Sequence, residues 1–286
     1  RYRENDYRGA LQRYELLLTH FPDSGYERSA TYNIGLCRAH LEDWEGAREA
    51  FTMIVDRWPG RDDATDALFM IAEVESQLGN YEAVVPVVER VLRRARLSQR
   101  QRIEAHSRWG AATIEMRDYA GAEQHYRQAI RLNTQAARAQ TDETPPSDWP
   151  YEEWNPWIAS AYFGIGRIYH DLFLEIKLVL PETEIRSALL DKGQLLEQAR
   201  QAYLDAVRSD NIYWSPAAGF MIGQIYEDFY LDILACEVPH EFDEVTLDSY
   251  FDQLREYLDP LLQRAMSVYE DNLAMSQRMG ADSVWV

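Results

Sequence analysis

Apolar and small positions recur at a fixed pitch through the first 133 residues. An aromatic followed three residues later by a small or apolar residue appears at Tyr7/Ala10, Trp44/Ala47, Tyr81/Val84 and Tyr119/Ala122. The aromatics are spaced 37, 37 and 38 residues apart. One helical turn beyond the small residue stand Tyr14, Phe51, Val88 and Tyr126, and upstream lies a second small position at Gly35, Ala72 and Gly110. A fixed period in the range of about 20–50 residues signals stacked repeats. Each unit reads as a helix hairpin, with the first small position on helix A and the second on helix B. Gly or Ala lets the two helices approach closely, and the aromatic is expected to fill the gap between neighbouring hairpins. A single hairpin cannot bury its apolar face, so stability comes from stacking.

Residues 134–157 break this pattern. The segment 141–150 holds three prolines and three acidic residues, and Pro disfavours helix for itself and for the residue before it. It reads as an acidic, Pro- and Trp-rich linker. Trp149, Trp154 and Trp157 either plug the end of the repeat stack or form a docking patch, since Trp is enriched at interface hot spots.

The pattern then returns in stretched form over 158–286. Phe163–Asp171 aligns with Phe220–Asp228 at an offset of 57 residues, and Pro181 and Pro239 end the two runs. The helix B marks come late, at Ala199/Tyr203 and Ala265/Tyr269. The hairpins are therefore elongated, with helix A expected to reach about Leu180 and helix B to run from about Glu184 to Val207. About 24 residues of helix span roughly 36 Å. Residues 1–133 thus form one repeat array, 134–157 a linker and 158–286 two long hairpins. The array opens inside a repeat, which points to a piece of a longer protein.

These residues resemble the tetratricopeptide repeat (TPR), a helix–turn–helix unit with a small residue on helix A and Ala, aromatic and Pro marks along helix B. The closing proline is present at Pro22 and Pro59 and replaced at Arg96 and Thr134. The long loops ending in an aromatic-Pro pair resemble the TPR subclass of Gram-negative envelope proteins, such as the barrel-assembly lipoprotein, the Tol-Pal coordinator and gliding-motility machines. The resemblance implies an all-α solenoid and a non-catalytic protein-binding scaffold in the periplasm or at the outer membrane. A cytoplasmic location is the alternative, as is a regulatory or recruiting module of a larger enzyme, motility or secretion machine.

The family often binds peptides along the inner face of its A helices. By register that face carries Tyr32, Leu36 and His40, then Phe69, Glu73 and Gln77, then Ser107, Ala111 and Ile114. The long repeats add Phe163, Arg167 and His170, and Phe220, Gln224 and Glu227. This aromatic and acidic wall suits a partner with basic and apolar side chains. The Lys/Asn carboxylate clamp of chaperone-binding TPRs is matched only at Asn33, which argues against capture of an acidic C-terminal tail.

Charge and chemistry narrow the picture little further. The net charge of −19 opposes nucleic acid binding, which needs cationic surface, and favours basic partners. No stretch reaches the roughly 20 apolar residues of a membrane span. Lys177 and Lys192 are the only lysines, which reads as codon bias. Two distant cysteines, Cys37 and Cys236, make neither a disulfide framework nor a zinc site and read as free thiols. Glu237 and His240 have Glu-x-x-His spacing, but such sites need one helical face and Pro239 intervenes. His170 is expected to form a satisfied polar pair with its neighbour Asp171. Phosphate loops, nucleophile elbows and Cys/His clusters are missing from the sequence, so no metal or cofactor is expected. An enzyme in the long hairpins would require a bound metal or a buried carboxylate cluster.

Overall fold

A computed structural model describes residues 6–22, 24–139, 156–236, 244–281 and 285. The chain is all-α there, built of TPR-like helix hairpins, and contains no strand among the described residues. It divides into two compact units, residues 1–125 and 126–286.

The first unit holds α1 (Tyr7–His20), α2 (Glu27–His40), α3 (Trp44–Arg57), α4 (Asp63–Gln77), α5 (Tyr81–Leu92), α6 (Gln99–Glu115) and the start of α7 (Tyr119–Ala139). The four aromatics of the repeat each open a helix: Tyr7, Trp44, Tyr81 and Tyr119 are the first residues of α1, α3, α5 and α7. A polar residue precedes each one. Asp6, Asp43 and Asp118 accept hydrogen bonds from the backbone N–H of Gly9, Gly46 and Gly121 at 2.9, 3.1 and 3.0 Å. This satisfies a donor that the helix itself leaves unpaired. A Cβ on any of these glycines would collide with the capping carboxylate.

The turn before the cap is also conserved in geometry from hairpin to hairpin. Glu42, Gly79 and Arg117 all adopt left-handed backbone, with φ of 61°, 74° and 61°. In each turn the following N–H reaches back to the helix: Asp43 to Arg38 O at 2.9 Å, Asn80 to Glu75 O at 2.8 Å and Asp118 to Thr113 O at 3.1 Å. This is a Schellman closure, fused directly to the cap of the next helix.

The core of this unit lies where α3, α4 and α5 meet, around Phe51, Ile54, Leu68, Val74, Val84 and Val88. The ring of Phe51 lies on Gly35 of its own hairpin, leaving no room for a Cβ there. The same arrangement puts Tyr203 on Gly166 and Tyr269 on Gly223. These aromatics therefore fill the space within a hairpin rather than between hairpins, while Tyr126 reaches Gly164 of the hairpin that follows.

The second unit contains the rest of α7, then α8 (Pro156–Glu175), α9 (Glu182–Val207), α10 (Trp214–Leu234) and α11 (Glu244–Met279). The two C-terminal hairpins are elongated: α9 has 26 residues and α11 has 36. The expected break at 134 falls inside α7, which continues to Ala139. Residues 134–139 contain no Pro or Gly, and Thr134 folds its hydroxyl back onto Ile130 O at 3.0 Å. In contrast, α8 ends at Glu175 rather than near Leu180. The approach to Pro181 disfavours helix, and Lys177 Nζ closes the end by donating to Leu174 O at 3.1 Å. Phe173, Tyr203, Ile222, Ile225 and Ala265 form the core of these hairpins.

Candidate functional site

The residues expected on the A-helix wall differ in exposure. In the first unit Tyr32 is half-buried, edge-on to Phe51 with centroids 5.4 Å apart. His40 is exposed and stacks on Tyr7 at 4.1 Å. Gln77 is exposed and donates to Glu73 at 3.0 Å. Glu73 also receives Arg108 Nη1 at 2.6 Å, and Arg108 Nε reaches Glu104 at 3.0 Å. Burial works to raise the Glu73 carboxyl, but the Arg108 charge and the bonds from Gln77 and Arg108 outweigh it and hold the group below its usual range. Arg108 thus ties α4 to α6 as a fixed, charged ledge. Of the α6 positions on this face, Ala111 is exposed, while Ser107 and Ile114 are buried.

Phe69 does not belong to an open wall. It is 5% exposed and part of the core, with the Arg108 guanidinium 5.8 Å above its ring. The Arg108 side chain of α6 lies over it.

In the second unit Arg167 is half-buried and pairs with Asp171 at 3.8 Å. Phe163 packs on Tyr203 and Trp214, at 5.5 and 5.0 Å between centroids. Phe220 packs on Tyr269 and Trp285, at 5.6 and 5.7 Å. Both phenylalanines are half-buried. Gln224 is half-buried, and Glu227 is exposed and accepts from the Tyr269 hydroxyl at 2.9 Å. Trp157 sits half-buried in the first turn of α8, while Trp149 and Trp154 lie outside the described residues.

His170 is the second correction. It is 2% exposed, and its partner is Asp228 of α10, at 2.8 Å from Nε2, rather than Asp171. Its Nδ1 faces the Tyr203 hydroxyl at 3.5 Å. The ring therefore bridges α8, α9 and α10 within the core and is closed to a partner.

Beside it lies a group that sequence reasoning passed over. Lys192 is 0% exposed. Its ammonium donates to Asp232 at 2.5 Å and to Phe173 O at 2.7 Å, and stands 3.7 Å from the centroid of the Phe173 ring. Burial pushes the ammonium below the usual lysine range, against the bond and charge of Asp232. The signal was present: Lys192, Leu196, Ala199, Tyr203 and Ala206 form one buried stripe along α9, so a charged residue occupied a core register.

The described residues contain no group of three or more His, Cys, Asp or Glu placed to hold a metal ion. The Glu237/His240 pair lies outside them. Cys37 is fully buried, and burial raises its thiol pKa, which removes the thiolate that reactivity requires. Cys236 is half-buried, with Sγ 3.8 Å from Leu178 O, and neither cysteine is in a disulfide. Among the described residues no helix is long and apolar enough to cross a membrane.

Residues 1–62 match the family described as Tetratricopeptide repeat. No curated protein matches the chain. Among solved structures the chain is similar to MamA protein, at 15% identity over 88% of this chain and 96% of that one, with a TM-score of 0.49. It is also similar to a tetratricopeptide repeat protein from Parabacteroides merdae ATCC 43184, at 12% identity over 95% of this chain and 88% of the other, with a TM-score of 0.45. A TPR repeats protein from Bacteroides fragilis NCTC 9343 is 12% identical over 88% of this chain and 92% of the other, with a TM-score of 0.34.

Proposed function

We propose that this all-α chain, whose first 62 residues match the tetratricopeptide repeat, is a non-catalytic protein-interaction scaffold of a bacterial cell-envelope complex. Partner segments lie along the A-helix wall of each unit separately and carry basic and apolar side chains. The observation that supports this reading is the wall itself. Glu73 and Gln77 in the first unit, and Gln224 and Glu227 in the second, keep polar side chains on the outer face of a closed core. The acidic members favour basic groups, and the aromatic rings of Tyr32 and Phe220 offer apolar contact. The envelope assignment rests on the long loops, where Phe21 and Trp58 cap α1 and α3 just before Pro22 and Pro59. On this reading the protein works in the periplasm or on the outer membrane.

The test is affinity capture from the native cells with wild type beside a Gln77→Arg/Gln224→Arg/Glu227→Arg variant. These side chains are half-buried or exposed, so the fold is expected to survive, as checked by circular dichroism. A basic partner should be retrieved by the wild type and lost by the variant. Retention by both, or retrieval by neither, would sink the reading.

A further inference from the structure

Helix A of each long hairpin lines an open cleft. Three helix A positions can be compared between repeats, at −4, −1 and +3 from the small packing residue. Around Ala72 these are Leu68, Ile71 and Glu75, and all three are buried. Around Gly166 they are Tyr162, Ile165 and Tyr169, and here they floor an open cleft of about 670 Å³ within the second unit. Around Gly223 they are Gly219, Ile222 and Tyr226, which line a second cleft of about 400 Å³. These volumes fall in the range of ligand and side-chain pockets.

Each cleft is lined by two arginines and one aspartate, Arg127, Arg131 and Asp205 in the first and Arg200, Arg278 and Asp271 in the second, but they are placed differently. In the first, α7 supplies Arg127 and Arg131, and α9 supplies Gln201 and Asp205. In the second, the position matching Arg127 is Leu204, since each follows the helix B tyrosine. The open space thus recurs, whereas an arginine directly after the helix B tyrosine is particular to the first cleft; in the second, Arg200 is paired with Glu197 at 2.5 Å. Arg127 also donates to the Tyr169 hydroxyl at 3.2 Å, which fixes the guanidinium above the aromatic floor. Burial and the charge of Asp205 raise the Tyr162 pKa, keeping that hydroxyl a donor.

We propose that the cleft between α7, α8 and α9 docks an acidic, aromatic segment of a partner protein, separately from the A-helix wall. Its carboxylates lie against Arg127 and Arg131, where a bidentate guanidinium–carboxylate pair has the right geometry. Its aromatic side chain lies on Tyr162, Ile165 and Tyr169. Asp205 on the opposite wall repels a carboxylate and so sets the orientation of the segment.

The probe is a fluorescein-labelled peptide of alternating glutamate and tryptophan, with a lysine-for-glutamate counterpart, titrated by anisotropy against the full chain. Arg127→Glu/Arg131→Glu is compared with Arg93→Glu/Arg96→Glu, a pair in the first unit that changes the net charge equally. The cleft variant should weaken binding by about tenfold or more, as loss of close charge pairs does, while the control stays near wild type and the lysine peptide does not bind. Equal weakening in both variants, binding of the lysine peptide, or no binding by the wild type overturns the proposal. A photo-cross-linker at Ala202 reports the occupant directly. Cross-links to the chain's own residues 140–155 in the free monomer would also overturn it.

Discussion

A hairpin turn in this protein depends on two neighbouring residues meeting opposite demands. The turn residue Glu42 is left-handed, and Asp43 must cap α3 by bonding Gly46 N–H. The glycine at the third helical position looks wasteful, since Gly costs about 1 kcal/mol against Ala inside a helix. It is explained by the cap, because a Cβ at Gly46 meets the Asp43 carboxylate. The α5 helix shows the alternative. There Ala83 replaces the glycine, Asn80 makes no side-chain cap, and its amide turns to Glu75 at 2.9 Å. Asp43→Ala is therefore expected to cost about 1 kcal/mol. Gly46→Ala alone should be near neutral, the lost cap offsetting the gained propensity. The double variant should be more stable than Asp43→Ala by about 1 kcal/mol. Urea denaturation of the four proteins checks this, and strict additivity of the two changes would refute the coupling. At the same scale, Asp232→Asn should destabilise more than Lys192→Met. The first leaves a buried ammonium uncompensated, at a cost of about 3–5 kcal/mol, whereas the second removes the buried charge itself. The reverse order of melting temperatures would show that Lys192 is held mainly by Phe173.

Between α6 and α7 the first unit carries a contact that no single helix pattern reveals. His106 and His125 face each other Nδ1 to Nδ1 at 3.1 Å, and Trp109 stacks on His125 at 4.0 Å. One nitrogen must donate and the other accept, so the contact requires at least one neutral ring. Burial lowers the His125 pKa from the usual 6.5, against the charge of Asp118. The unfolded chain then binds more protons than the folded one below pH 6.5, so stability is complete above that value and falls as the pH drops through the folded pKa. His125→Gln should flatten this fall, read as thermal melting between pH 7.5 and about pH 5. A slope unchanged by the substitution would place the acid sensitivity elsewhere. What the sequence made legible at this scale was the hairpin pitch, because an aromatic opening each helix B and a glycine facing an aromatic are local in origin. What it did not show was what covers each face. Phe69 and His170 have the same register as Glu73 and Arg167, one turn or less away. Only the placement of Arg108 and Asp228 on neighbouring helices closes the first two and leaves the others at the surface. Lys192 was misread for the opposite reason: its scarcity drew a compositional explanation, although its place on the buried stripe of α9 was already visible.

Over the whole chain, charge is segregated as well as unbalanced. The net value is −19, yet residues 90–117 hold eight arginines against Glu104 and Glu115. Arg108 is consumed by Glu73 and Glu104, whereas Arg90, Arg93, Arg96 and Arg100 are exposed at the end of α5 and the start of α6. The rest of the chain is correspondingly more acidic and repels itself. Two effects of added salt then compete. Screening weakens the ion pairs, but several of these are exposed, such as Arg93–Glu89 and Arg255–Asp252, and such pairs are worth about 0–1 kcal/mol. Screening also relieves repulsion among the surplus carboxylates, which is long-ranged, since the Debye length falls from about 30 Å at 0.01 M to about 8 Å at 0.15 M salt. With so large a surplus the second effect should win. The melting temperature is expected to rise by a few degrees between those concentrations, with sodium chloride and a neutral buffer. Sodium sulfate is unsuitable, because it strengthens apolar burial by itself. A fall in melting temperature would mean that the bridged pairs of the A-helix ledge, Glu73–Arg108–Glu104 foremost, outweigh the surplus charge. The charge of the wall would then be structural rather than available to a basic partner.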